Sequence, residues 1–312
     1  MAKLFDLHCD TLFEALRQNK RLGTNDLCVS FDKLGKYDGF TQVLAMWSDP
    51  RTDEDMAFRR FKAARALLDR ELADNPDVML CRSDAELTAA ENAGKNSVFL
   101  AVEGGRLISD DLGKLDELYA DSVRFLTLVW DKTCKIGGAH DTDEGRTDFG
   151  REAVKRCFEL GIVPDLSHAS DKMIYEVIEM SGKAGKPCIA THSNSRAVCD
   201  HKRDLTDDQF RAIVSLGGIV GISLAPMHLT ESWREKCTVD DIVDHIEHYI
   251  SIGGENAVCL GCDFDGVGSL PEGISNVTDL PKIADRMRER GLGQYIGRLF
   301  HSNAREFVSR NF

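Results

Sequence analysis

Leu4-Phe-Asp-Leu-His-Cys-Asp10 is a short apolar run that predicts a β-strand and ends in a histidine and a carboxylate. Seven further runs of β-branched or apolar residues, each near glycine, proline, aspartate or serine, predict strands along the chain. The eight expected strands comprise residues 4–9, 41–47, 98–102, 123–129, 162–166, 188–191, 219–224 and 258–262. Helical segments separate them. Eight strands alternating with helices in 312 residues predict an α/β fold of the (β/α)₈ TIM barrel type.

Residues 1–312 are expected to form a single barrel domain, because no Pro/Ser-rich linker or internal repeat divides the chain. The expected helices comprise residues 53–73, 110–120, 150–160, 172–180, 207–216 and 239–252. Thr206 is the predicted N-cap of one of them, with Gln209 three residues later. About 50 residues, 50–97, separate strands two and three, which is long for one βα unit and predicts an insertion there. A doubly wound sheet is the alternative, but no glycine-rich phosphate loop follows the first strand.

The composition is acidic, with 39 Lys and Arg against 52 Asp and Glu and a formal net charge of −13. This balance argues against nucleic-acid binding, which depends on clustered basic residues. No apolar run approaches the ~20 residues of a membrane helix, and the first residues are too polar for a signal peptide. We therefore expect a soluble, cytoplasmic protein without a membrane partner. Cys259 and Cys262 form a C-x-x-C pair that is expected to pack in the core.

Histidines and carboxylates stand at the C-terminal ends of five expected strands. They are His8 and Asp10 after the first strand, Glu103 after the third, His168 after the fifth, His192 after the sixth and Asp263 after the eighth. In a parallel barrel these ends meet at the rim where barrel enzymes place their active sites. Side chains two residues apart share a face of a strand, so His8 and Asp10 are predicted to look into the barrel mouth. Phe5, Leu7 and Cys9 are then expected to face the outer helices.

Any one of these polar residues alone is explained by a structural hydrogen bond or ion pair. Six of them at one rim need another explanation, because unpaired buried charges are costly. A cluster of divalent metal ions supplies positive charge that carboxylates and neutral imidazoles can share. Ligands without thiolate suit zinc in a catalytic role, and two metals about 3.5–4 Å apart can hold a bridging hydroxide and polarise a carbonyl.

Several motifs, taken in order, resemble those of one enzyme family. They are Asp6-Leu-His-Cys-Asp10, Val102-Glu-Gly-Gly105, Leu126-Thr-Leu128, Asp165-Leu-Ser-His168, Thr191-His-Ser193, Arg203-Asp-Leu-Thr-Asp207 and Asp263-Phe-Asp-Gly266. Over nearly its whole length the chain resembles the membrane dipeptidase (renal dipeptidase) family of the amidohydrolase superfamily. Members of this family are (β/α)₈ enzymes with two zinc ions that hydrolyse dipeptides, some accepting a D-residue on the C-terminal side.

The resemblance implies two zinc ions per chain. The implied ligands are His8 and Asp10 on the first zinc, His168 and His192 on the second, and Glu103 between both. Asp263 is implied as the residue that takes a proton from the bridging water and returns it to the leaving amine, with Asp265 as a structural neighbour. Many superfamily members bridge the metals with a carboxylated lysine, and Lys132 lies near that position. Arg203 is implied to grip the substrate carboxylate.

The chain departs from the family pattern around the substrate. Trp130 stands where better-studied dipeptidases carry a histidine that helps to hold the substrate carbonyl oxygen. Arg106 and Asp204 also replace residues found in other members, His and Asn respectively. Two hypotheses follow for the missing histidine. Either the second zinc alone polarises the carbonyl, with Trp130 as an apolar wall, or His140 reaches in from the loop after strand four.

The function implied by the resemblance is a binuclear zinc dipeptidase that cleaves small dipeptides with a metal-bridging hydroxide. Another metal-dependent amidohydrolase, acting on N-acyl amino acids, lactams or lactones, is the alternative, since both reactions attack a carbonyl beside a carboxylate. A barrel that binds a ligand without catalysis would lack a metal ligand or the acid/base, and all these positions are filled. The expected partner is a dipeptide, and a homodimer is one expectation because relatives often form dimers.

The other histidines are expected to be unremarkable. His245 and His248 are predicted on a solvated helix face beside acidic residues, and His301 is predicted at the surface. His228 follows strand seven near the rim, and His201 lies two residues before Arg203.

Overall fold

The parallel sheet is the central element of the computed structural model, which describes residues 3–312. Its strands are β1 (Leu4–Cys9), β2 (Phe40–Trp47), β3 (Val78–Leu80), β4 (Asn96–Glu103), β5 (Val123–Thr127), β6 (Val163–Asp165), β7 (Val220–Ile222) and β8 (Val258–Leu260). Their order is β6-β5-β4-β2-β1-β8-β7. The short β3 pairs with the first residues of β4 and lies outside this path.

The sixth expected strand, residues 188–191, is irregular in the structure. Ile189 makes an isolated parallel bridge to Asp165 at the end of β6, and Ala190 makes one to Val220 at the start of β7. The carbonyl oxygen of Thr191 lies only 1.9 Å from where a Cβ atom on Gly221 would stand, so the two backbones approach too closely for a side chain at that position. The two bridges join the edges of the sheet. The predicted (β/α)₈ barrel is therefore confirmed, with one strand reduced to these bridges.

Helices follow most strands on the outside of the barrel. They are α1 (Thr11–Gln18), α2 (Phe31–Leu34), α3 (Glu54–Asp74), α4 (Asp84–Asn92), α5 (Gly113–Ala120), α6 (Asp148–Leu160), α7 (Asp171–Ala184), α8 (Asp207–Ser215), α9 (Val239–Ser251), α10 (Pro281–Glu289) and α11 (Asn303–Asn311). The predicted cap of α8 is confirmed, because Thr206 and Gln209 form a reciprocal capping box. Within residues 3–312, no helix has both the length and the apolar character that a membrane crossing requires.

A bulge in β1 decides which side chains enter the barrel. Apolar residues from all eight barrel positions form one interior cluster, which includes Phe5 and Leu7, whereas Cys9 packs in the outer layer. The prediction that Phe5 and Leu7 face outward is therefore wrong. The register with β2 shifts between Asp6 and Cys9, where β1 contains one extra residue. The shift reverses the alternation, so that His8 still reaches the mouth of the barrel.

Two expectations for the remaining histidines are also wrong. His245 on α9 is fully buried, where its Nδ1 accepts a hydrogen bond from the backbone N–H of Ser195 at 3.0 Å and its Nε2 lies 2.9 Å from the carbonyl oxygen of Leu229. It anchors the loop after residue 192 to α9. His301 packs against the Phe5 ring, with ring centroids 6.5 Å apart, and is largely buried. Both interactions join segments that are distant in sequence, and such contacts cannot be predicted from helical periodicity, which concerns only neighbouring residues.

The expectation for the cysteine pair is confirmed. Cys259 and Cys262 have no exposed surface and are free thiols, and burial raises the pKa of both. They act as small apolar side chains of the sheet.

Candidate metal centre

Five strand ends bring the predicted polar side chains to one place at the mouth of the barrel. His8 is the second-to-last residue of β1, Asp10 follows the strand directly, and Glu103 is the last residue of β4. His168 follows β6, and His192 follows the bridges at Ile189 and Ala190. These five side chains, His8, Asp10, Glu103, His168 and His192, are each less than a tenth exposed.

Glu103 stands in the middle of the cluster and presents its two oxygens to different partners. Oε1 lies 2.9 Å from Nε2 of His168 and 3.4 Å from Nε2 of His192. Oε2 lies 3.9 Å from Nε2 of His8, and Asp10 Oδ2 lies 3.4 Å from the same nitrogen. Glu103 therefore belongs to two groups with the spacing of metal ligands, one with His8 and Asp10 and the other with His168 and His192.

Hydrogen bonds behind the cluster determine which nitrogen of His192 faces Glu103. Asp165 is fully buried and accepts a hydrogen bond from the hydroxyl of Thr191 at 2.6 Å. Because that hydroxyl gives its proton to Asp165, its oxygen accepts from Nδ1–H of His192 at 2.8 Å. Nε2 of His192 then carries a lone pair that is directed at Glu103.

Two buried atoms of the cluster have no hydrogen-bond partner within the described chain. They are Nε2 of His8 and Oδ1 of Asp10. Buried polar atoms are normally paired, and a set of imidazole nitrogens and carboxylate oxygens without thiolate suits a divalent cation such as zinc. The donor set therefore fits one or two metal ions.

Asp263 lies at the edge of this cluster, with Oδ1 3.9 Å from Nε2 of His8. Burial raises the pKa of Asp263 to about 8, an effect that His8 opposes and Asp10 increases.

The backbone of Asp263 has φ of 59°, and that of His168 has φ of 71°, a left-handed conformation that costs of order 1–3 kcal/mol at a non-glycine residue. A Cβ atom on Gly266 would lie 2.3 Å from both Asp263 Oδ1 and Asp10 Oδ2, so a larger residue there would displace these two carboxylates.

Asp265 has a different environment from Asp263. It accepts hydrogen bonds from the hydroxyl of Thr11 at 2.5 Å and from the backbone N–H of Cys28 at 2.8 Å. These bonds tie the loop after β8 to α1 and to the segment before α2, in agreement with a structural role. Lys132, the other candidate for bridging metals, is exposed and belongs to none of the ligand groups found within residues 3–312.

A cavity of about 530 Å³ opens over the cluster. Its apolar wall comprises Phe13, Trp47, Trp130, Ala225, Pro226, Met227, Trp233 and Val267. The rings of Trp47 and Trp130 meet edge to face with centroids 4.8 Å apart, and Trp130 lies 6.1 Å from the His168 ring. Asp131, His168, Asp263 and Glu103 supply polar atoms to the same cavity. No lysine or arginine of the described chain lines it.

Arg203 lies behind the cavity rather than in its wall. It is 6% exposed, and its guanidinium donates to Ser193 Oγ at 2.7 Å and to the carbonyl oxygen of His192 at 3.0 Å. Its Nε is buried and has no hydrogen-bond partner in the described part of the chain. His140 also lies outside the cavity wall, with its ring centroid 6.4 Å from that of His168. Burial lowers the pKa of His140 to about 4.

Two polar residues of the cavity wall were not identified from the sequence as site residues. Asp131 follows Trp130, and its Oδ1 lies 2.7 Å from Nδ1 of His168. The sequence places His228 only near the rim, yet its ring contacts that of His201, with centroids 4.5 Å apart, and its buried Nδ1 has no hydrogen-bond partner among residues 3–312. For Asp131, the available signal was its position just beyond a strand end, next to a residue already singled out.

A family model and curated relatives agree with the geometry of the site. The model described as membrane dipeptidase (peptidase family M19) matches residues 1–306. An uncharacterized protein encoded in the pqqA 5′ region of Klebsiella pneumoniae is 31% identical over 227 residues, which are 70% of this chain and 82% of that protein. An uncharacterized dipeptidase of Schizosaccharomyces pombe is 30% identical over 216 residues, 67% of this chain, and the match spans about half (51%) of the yeast protein.

Solved structures resemble the whole chain. The metallopeptidase called dipeptidase AC, of family M19, superposes with a TM-score of 0.90 at 29% identity and covers 99% of this chain and 98% of its own. A metallopeptidase from Rhodobacter sphaeroides, crystallised with a phosphinate mimic of the dipeptide L-Ala-D-Ala, also gives a TM-score of 0.90, at 27% identity over 100% of this chain and 99% of its own.

Proposed function

Because the chain belongs to the membrane dipeptidase family, a family of metal-dependent dipeptide hydrolases, we propose that it cleaves dipeptides with two zinc ions held at the barrel mouth. His8 and Asp10 would hold one ion, His168 and His192 the other, and Glu103 both. The observation that carries this proposal is that the two carboxylate oxygens of Glu103 face different ligands. Oε2 faces His8, and Oε1 faces His168 and His192.

The bound ions would supply positive charge that acidifies a water molecule and stabilises the negative charge developing on the substrate carbonyl oxygen. Asp263 borders both the ligands and the cavity, and the charge of bound cations would favour its ionised form, so its carboxylate is positioned to accept a proton from the attacking water and to return it to the leaving amine. Trp47 and Trp130 would exclude water from one side of the reacting peptide.

Arg203 remains the proposed electrostatic anchor for the terminal carboxylate of the substrate. Burial lowers the pKa of His228, which lines the cavity, and the charge of Arg203 lowers it further, so a substrate carboxylate in the cavity would also be attracted by that charge. Trp130 is the proposed apolar contact of the substrate.

We further propose that a D-residue is accepted on the C-terminal side of the scissile bond. The support is the Rhodobacter sphaeroides structure, which covers the whole of this chain and contains a mimic of L-Ala-D-Ala. A library of L,L and L,D dipeptides with free and amidated C-termini tests this point and the Arg203 anchor together. We expect dipeptides with a free C-terminus, L,D dipeptides among them, to be cleaved faster than their amidated forms. Equal rates for free and amidated substrates would contradict the proposed role of Arg203.

Metal stoichiometry tests the ligand assignment. We expect two zinc ions per wild-type chain and, since Glu103 contacts both groups, loss of both ions in Glu103→Ala. His168→Ala should retain one ion. Asp265→Asn is the matched control, a rim carboxylate outside the ligand groups, and should retain two. One ion in wild type, or two in Glu103→Ala, would contradict the binuclear assignment.

A further inference from the structure

Asp131 holds the outer nitrogen of a proposed metal ligand. It lies in the loop after β5, and its Oδ1 is 2.7 Å from Nδ1 of His168. Its side chain is partly exposed to the cavity, where an aspartate is ionised at neutral pH. The contact therefore joins a charged carboxylate to a buried imidazole.

The chemistry of a carboxylate fixes the tautomer of that imidazole. An ionised carboxylate only accepts hydrogen bonds, so Nδ1 of His168 carries the proton, and in the neutral ring that binds a metal ion Nε2 then carries the lone pair. Nε2 is the atom that lies 2.9 Å from Oε1 of Glu103 and 3.0 Å from Nε2 of His192. Asp131 thus keeps the lone pair of His168 pointed at the ligand cluster.

The backbone of His168 needs such support. Its φ of 71° is unusual for a non-glycine residue, and its carbonyl oxygen accepts a hydrogen bond from the backbone N–H of His140 at 2.8 Å. The loop after β5 therefore contacts His168 at two points, through the backbone N–H of His140 at its carbonyl group and through Asp131 at its ring. His192, by comparison, is oriented by the neutral hydroxyl of Thr191. A charged partner makes the imidazole of His168 the more strongly electron-donating of the two ligands.

The same neighbourhood also has the spacing of a separate cation site. Atoms of Asp131, His140 and His168 lie within 4.8 Å of one another. A cation there would require the lone pair of His168 Nδ1, which is used as an N–H donor to Asp131. His140 Nδ1 lies 3.5 Å from Asp131 Oδ1, which is too far for a strong hydrogen bond, so His140 does not replace His168 as the partner of Asp131.

We propose that Asp131 is a positioning residue that fixes the tautomer and ring orientation of His168 and thereby slows loss of the metal ion held by His168 and His192. This inference rests on the proposed function, because it deepens the role of the same centre. Partners of this kind typically change metal affinity by about 10–100-fold when removed.

The experiment measures metal release from purified Asp131→Ala, Asp131→Asn and wild type with a chromogenic chelator, alongside kcat and KM. Asp143→Ala is the control, since Asp143 is an exposed acidic residue outside the ligand groups of the described chain. We expect one of the two ions to leave Asp131→Ala about 10–100-fold faster, with kcat reduced at limiting zinc and KM little changed. Asp131→Asn keeps an accepting oxygen and should restore part of the slow release.

The possible results separate this inference from the proposed function. Release rates equal to wild type, with a raised KM, would make Asp131 a substrate contact and overturn the inference alone. A third ion in wild type that is lost from both Asp131→Ala and His140→Ala would replace it with the separate cation site. A wild-type chain that binds no metal would overturn the proposed function itself. Unfolding temperatures of the metal-free proteins identify any variant that simply fails to fold.

Discussion

The Nε2 atoms of His168 and His192 lie 3.0 Å apart, and both are turned toward Oε1 of Glu103. Each imidazole uses its Nδ1 proton on another partner, Asp131 for His168 and Thr191 for His192. Neutral rings so arranged would direct two lone pairs and a carboxylate at one another inside a buried site. A cation between them removes that repulsion, which is why the cluster is understood as a metal centre.

Removal of the metal should therefore destabilise the protein as well as inactivate it. Ions that bind only the folded state at a free concentration of 100 Kd add about 2.7 kcal/mol per site to the free energy of unfolding. We expect the unfolding temperature of chelator-treated protein to rise on addition of zinc, in step with recovery of dipeptide hydrolysis. An unchanged unfolding temperature across a zinc titration would contradict this.

Asp263→Asn should separate catalysis from metal binding. The substitution preserves size but removes the proton acceptor at the edge of the cluster, and general acid–base groups typically contribute 10²–10⁴-fold. We expect kcat to fall by about that factor while two ions per chain are retained. Kinetics and elemental analysis on the same preparation test this. Full activity would transfer the proton-acceptor role to another residue, and loss of an ion would assign Asp263 to metal binding.

The rim residues could be predicted because a parallel barrel brings strand C-termini together whatever the details of each strand. The position of His8 shows the limit of that reasoning. Alternation along β1 placed Phe5 and Leu7 outside, yet a one-residue bulge put them inside and still left His8 at the mouth. A shift in register depends on the neighbouring strand and leaves no signal in β1 itself.

Contacts between distant segments account for the other misses. Asp131 and His168 are separated by 37 positions, and His245 and Ser195 by 50. In both pairs a polar side chain acquires its role only when two loops or a loop and a helix come together. Local periodicity placed His245 on a charged face, whereas the loop after His192 covers it in the folded barrel.

Trp130 should influence which side chains the enzyme accepts. Its ring packs edge to face against Trp47 and lines the cavity next to His168. Replacing it with alanine removes apolar surface that a bulky substrate side chain would contact, and each methylene-sized contact is worth about 1–3 kcal/mol in discrimination. We expect Trp130→Ala to lower kcat/KM for dipeptides with large apolar residues about 10–100-fold more than for Ala-Ala.

A parallel assay of Trp130→Phe, which keeps an aromatic wall, is the control for this substitution and should retain most of the preference. A uniform loss across all dipeptides in Trp130→Ala, with unchanged metal content, would indicate that Trp130 supports the reaction rather than selecting the side chain. Metal analysis is needed in each case because Trp130 precedes Asp131 in the chain.

His245 should make the stability of the barrel fall in acid. Burial lowers its pKa to about 4 from an ordinary value of 6.5. Between these two values the unfolded chain binds a proton that the folded chain does not, so stability is complete above pH 6.5 and decreases as the pH falls toward 4. The decrease from this one group amounts to roughly 3 kcal/mol at 1.36 kcal/mol per pKa unit.

His245→Gln tests this directly, since glutamine keeps an N–H for the Leu229 carbonyl oxygen but does not titrate. The variant should be less stable than wild type at pH 7.5 because the bond from Ser195 is disturbed, by about 1–3 kcal/mol. The difference in the free energy of unfolding between the two proteins should shrink as the pH is lowered to 4, because only wild type loses the contribution of a neutral buried imidazole. Urea unfolding of metal-free protein at several pH values measures it. Parallel curves for the two proteins over this range would show that His245 does not titrate on unfolding as its burial requires.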